Sequence, residues 1–130
     1  MSDFSNYAEG KIVEHLLRNV AYTSPTTVYL ALFTAVSDAE AGTGTEVSTG
    51  GYARQAITFG AHTNGAVSNS SPVSFTASGA NYGTVTHSAI FDAATVGNAL
   101  STIKALAASR VVNDGDTLTF ATGDIDFVVA

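Results

Sequence analysis

The chain has no cysteine, which excludes disulfides and thiolate metal centres and leaves its redox compartment unreadable. Charge is scarce too: Asp, Glu, Lys and Arg make up 12% of the 130 residues, against roughly 25% in an average domain. Five cations stand against eleven acidic residues, for a formal charge of −6. Nucleic-acid affinity needs clustered Lys and Arg to release phosphate counterions, and five scattered ones do not supply it. An anionic membrane surface is disfavoured for the same reason. No apolar run approaches the ~20 residues of a membrane span. The acidic start Met1-Ser2-Asp3 lacks the basic head of a signal peptide. The expectation is a protein made in the cytoplasm without an export signal.

What remains is a chain with 45% hydrophobic residues and a polar complement built mainly from Ser, Thr, Asn and Gly. Its length suits a single domain, residues 1–130, with room for one core. A surface so poor in charge suits a subunit that hides part of its exterior against neighbours.

Residues 3–21 carry a helical period. Phe4, Ala8, Ile12, Leu16 and Val20 recur every four positions, and Val13 and Leu17 widen the stripe. Gly10 costs about 1 kcal/mol relative to alanine inside a helix, so this helix is expected to depend on docking. Pro25 disfavours the helical region for Ser24 and is expected to end it.

From residue 26 to 130 the pattern is β. The run Val28-Tyr29-Leu30-Ala31-Leu32-Phe33 has no polar face and predicts a strand covered on both sides. Further strands are expected over 51–59, 73–77, 83–91, 99–107, 116–121 and 124–129. In 83–91 the alternation puts Val85, His87, Ala89 and Phe91 on one face. The polar stretches 41–51 and 61–71 read as exposed loops. Short strands separated by Asn-Gly and Asp-Gly turns imply a mainly β fold, an antiparallel β-sandwich or barrel-like domain with one N-terminal α-helix.

No reactive constellation stands out. His15, His62 and His87 have no metal-ligand spacing, no nucleophile elbow is present, and Gly42-Thr43-Gly44-Thr45 lacks the Lys of a phosphate loop. Asp114, Asp116, Asp124 and Asp126 could line a calcium site, but turn chemistry and a charged sheet edge are the preferred reading. No catalytic residue, cofactor or metal is expected. Tyr52, Arg54 and Tyr82 are the candidate subunit-interface residues, because Tyr and Arg are enriched in interface cores. Tyr82 is read as an exposed aromatic.

The order Ala21-Tyr22-Thr23-Ser24-Pro25-Thr26-Thr27, Tyr29 to Thr34, Gly42 to Val47, Gly50-Gly51-Tyr52-Ala53-Arg54-Gln55, Gly83 to His87, Ile90 to Ala93, Gly97-Asn98 and Val112 to Asp116 resembles short structural proteins of tailed-bacteriophage virions. That resemblance spans nearly the whole chain and implies a non-enzymatic virion component. The first expectation is a head-decoration (cement) protein on the capsid exterior. It would bind the major capsid protein as a homo-oligomer, with a trimer favoured. Alternatives are a tail, collar or fibre-attachment protein, a glycan-binding module using Tyr82, and an enzyme dependent on His87.

Overall fold

In the computed structural model, residues 2–129 are described. Met1 of the acidic start and Ala130 at the end of the expected domain lie outside them. The elements run α1 (Asn6–Leu17), β1 (Val28–Asp38), β2 (Thr43–Glu46), β3 (Gln55–Ile57), β4 (Ala66–Ser68), β5 (Val73–Thr76), β6 (Gly83–Phe91), β7 (Lys104–Val112), β8 (Thr117–Phe120) and β9 (Asp126–Val128). The fold is mainly β and antiparallel throughout, with one helix near the N-terminus.

β1 is the central strand, as its unbroken apolar run requires. Leu30 and Leu32 point into one hydrophobic cluster while Ala31 and Phe33 point into another on the opposite side. One edge of β1 pairs with β6, from Tyr29↔Phe91 to Phe33↔His87. The other edge is shared: β3 takes Val28 to Leu30, and β2 takes Phe33 to Asp38. β7 completes this five-stranded sheet beyond β6. Two ribbons, β5–β8 and β4–β9, supply the facing layer. Val73, Phe75, Leu118 and Ile125 meet Leu30, Leu32, Val85 and Ile90 in the main core.

The second cluster, on the outer face of the sheet, is roofed by the segment between β6 and β7. Ala99 and Ile103 pack there on Ala31, Phe33, Ala89 and Phe91. That duty displaces a predicted strand. The segment 99–107 was expected to be a strand, but β7 begins only at Lys104, and before it only isolated bridges form, Ala99 to Phe91 and Ser101 to Phe4. Residues 99–103 instead cross the sheet, with Leu100 N–H donating to Ile90 O at 2.7 Å and Ile103 N–H to Ala39 O at 3.0 Å.

Other expectations are corrected likewise. The stretches 41–51 and 61–71 hold β2 and β4, because small residues can pair through backbone alone where side chains carry no strand signal. The strand expected over 51–59 contracts to Gln55–Ile57. Val85 belongs to the main core and Ala89 and Phe91 to the outer one, so β6 changes face near Thr86. Its register against β7 shifts there, from Val85↔Arg110 to His87↔Ala105.

The helix is shorter than its period suggested. Ser5 caps it, its Oγ accepting from Ala8 N–H at 3.2 Å, and Asn19 ends it in the left-handed region at φ 59°, well before Pro25.

Candidate functional site

Glu46, the last residue of β2, is the hub of a charged and polar network. Arg54 approaches it with both edges of a fork: Nε donates to Oε2 at 2.8 Å and Nη2 to Oε1 at 2.9 Å. The Tyr52 hydroxyl donates to Oε2 at 2.6 Å and accepts from Leu32 N–H at 2.9 Å. The remaining guanidinium nitrogen, Nη1, donates to the carbonyls of Ala93 and Val96 at 2.9 and 2.8 Å. The guanidinium plane rests on Phe91, 3.9 Å from the ring centroid. Arg54 therefore clamps the loop 92–98 onto the sheet.

Burial shapes the electrostatics. It pushes the Glu46 carboxyl up, but the bonds from Arg54 and Tyr52 and the charge of Arg54 outweigh it, leaving the pKa below the ordinary value. Burial and then the bond to Glu46 push the Tyr52 phenol far above its usual range. Burial lowers the Arg54 pKa, yet Glu46 more than restores it, and the cation is held. This cluster carries fixed charge and holds no group poised to exchange a proton near neutrality.

The clamped loop has an unusual tip. Val96 adopts φ 55° and is 85% exposed, and Gly97 follows at φ 68°. A β-branched residue in the left-handed region is strained. Arg54 on the Val96 carbonyl and the Asp92 carboxylate accepting from Asn98 N–H at 2.7 Å hold it there.

The three aromatic and basic residues singled out from the sequence are thus brought together. Tyr52 stacks on Phe75 at 6.1 Å and meets Tyr82 edge-on at 5.8 Å. The expected exposure of Tyr82 is corrected: it is 6% exposed, with its hydroxyl donating to Thr76 O at 3.0 Å. Small neighbours on both sides hid this from pattern reading, and the platform that sugar binding required is absent at this residue. Glu46, the hub itself, escaped notice. A lone carboxylate in a Gly/Thr segment eight positions before Arg54 was the only hint.

The acidic residues of the turns act as caps. Asp116 accepts from Asn113 N–H at 3.0 Å, Asp124 from Ala121 N–H at 3.0 Å and Asp114 from Gly79 N–H at 2.9 Å. Among the described residues no group of three or more His, Asp or Glu is placed to hold a metal ion. His15 is exposed on α1, His62 is exposed in a loop, and His87 is half-buried against the Thr86 hydroxyl at 2.7 Å. They are not brought together. An open cleft of about 380 Å³ separates β7 from the β8–β9 side, with Leu30, Ile90, Leu118 and Ile125 at its base and Lys104, Arg110 and Asp124 around it.

The geometry is that of a fastened scaffold with projecting loops. Over residues 3–128 the sequence matches the family described as Podophage GP4 fiber I protein gp80. The chain belongs to that family. No curated protein matches it. Membership covers the helix, both core clusters and the Arg54 clamp alike, and makes the protein a structural component of a bacteriophage virion, as the resemblance implied. No helix among the described residues is long and apolar enough to cross a membrane.

Proposed function

We propose that this chain is a fibre or fibre-attachment subunit of a podophage tail, working through buried contact area and fixed shape. The family match across residues 3–128 carries the reading, since it names a fibre protein and spans every element of the fold. It moves the preference from capsid cement, the first expectation, to the tail alternative. The physical features agree with an assembly role: a sparsely charged exterior, a bidentate ion pair spent on fastening a loop, and histidines that lie apart. In this reading the partners are further copies of the chain, a trimer among the options, and a tail protein at the fibre base in place of the major capsid protein.

Immunogold microscopy of purified virions, combined with quantitative mass spectrometry, tests it. The expected result is label at the tail and a copy number far below that of the major capsid protein. Label spread over the shell, at a copy number in the hundreds, would restore the cement reading.

A further inference from the structure

α1 is anchored at one end only. Its first turn is fixed by Ser5, whose N–H donates to Leu100 O at 3.0 Å and whose hydroxyl donates to Ala99 O. Asn6 N–H donates to Glu40 O at 2.9 Å, and Phe4 packs edge-on against Phe127 at 4.8 Å. Beyond Ala8, the one buried residue of the helix, contact with the body fades. Leu16 is 70% and Leu17 79% exposed, with Val13 and Val20 also bare. At 3.6 residues per turn, Val13, Leu16 and Leu17 share an arc of roughly 100°. That arc borders the docked side, which runs through Ala8 and Ile12, and it is bare because contact with the body falls away toward the C-terminal end of the helix. The apolar stripe read from the sequence is therefore covered by the subunit in its N-terminal part and left open in its C-terminal part.

We propose that the open part of α1, Val13, Leu16 and Leu17, together with Val20 just beyond its end, docks a second copy of this chain. Charge argues for that occupant. From Asn6 to Val20 the carboxylates Glu9 and Glu14 are matched by Lys11 and Arg18, so the whole formal charge of −6 resides elsewhere. Two copies can meet here without net like-charge repulsion, since Glu14 and Arg18 already pair within the helix at 2.6 Å and Glu9 and Lys11 balance each other. A strongly basic or acidic partner finds no handle, and an anionic lipid surface finds no cationic rim. Area sets the strength. Four aliphatic side chains fall well short of the roughly 800 Å² per partner of a standard interface. Free chains therefore pair weakly, and copies held side by side in a fibre pair more firmly through effective concentration. The inference names the contact surface within the homo-oligomer of the fibre reading, and is tested on the purified chain.

Because the protein has no cysteine, one introduced thiol reports a single position. Leu17→Cys should form a disulfide-linked dimer about tenfold faster than Ser37→Cys, an exposed control on β1, which corresponds to modest stabilisation of the encounter. Adding Leu16→Glu to Leu17→Cys should remove most of that advantage while the circular dichroism stays unchanged. Equal rates for the two cysteines, or no effect of Leu16→Glu, overturn the proposal. So does co-sedimentation of the wild-type chain with phosphatidylserine vesicles when the Leu17→Cys variant shows no cross-linking preference over Ser37→Cys. Cross-linking through α1 in a protein found on the shell would keep this inference and lose the fibre location.

Discussion

Arg54 and Glu46 show how much one ion pair can organise when both partners are used fully. The Arg54 side chain is 7% exposed and that of Glu46 27%, so removing the carboxylate leaves a mostly buried cation held by the Ala93 and Val96 carbonyls and the Phe91 ring with no opposite charge paired with it. Glu46→Gln is expected to cost about 2–3 kcal/mol at pH 7, read from urea unfolding. The pH dependence has a definite sign. The Glu46 pKa is lower in the folded protein than its unfolded value of about 4.3, so its contribution is complete above that value. It is lost as pH falls through the folded pKa. The stability gap between wild type and Glu46→Gln should therefore narrow on acidification below about pH 4. A gap that stays constant across that range would show that Glu46 gains nothing from its charge.

Among the elements, those whose identity rests on side-chain periodicity were legible and those made by backbone alone were not. β1, β5, β6 and β8 fall close to where alternation or a continuous apolar run placed them. β2 and β4 consist of Thr, Gly, Ala, Val, Ser and Glu in short pieces, and exist because β1 and β9 offer free edges. The helix was legible as a period, but its length was not, because Ser5 and Asn19 set its ends through local bonding. Ser5 is 1% exposed and caps α1 while donating to Ala99, so Ser5→Ala should cost about 1–2 kcal/mol. Thermal unfolding followed at 222 nm would show it. A smaller loss, near that of an exposed serine, would mean that the helix is held by Phe4 and Ala8 alone.

At the scale of the whole molecule, scarcity of charge is the governing property. With −6 spread over 130 residues, little repulsion keeps copies apart, and less remains as the carboxylates protonate. Turbidity should peak near the isoelectric point of about 4.6 and clear again at lower pH. Because the α1 segment is internally neutral, Leu16→Glu should lower association near neutral pH more than it lowers the turbidity maximum. The Arg54 clamp lies in a different part of the chain from α1.

Composition and periodicity determined by themselves that this is a β-rich domain with one leading helix and no thiol chemistry. Those properties are sums over residues or follow from repeats of two and nearly four. Tertiary structure alone decided that Tyr82 turns inward, that Glu46 joins Tyr52 to Arg54, and that β6 changes face at Thr86. It also decided that half of the helical stripe stays bare, since a stripe records which residues avoid water but not how much of it the folded body has surface to cover.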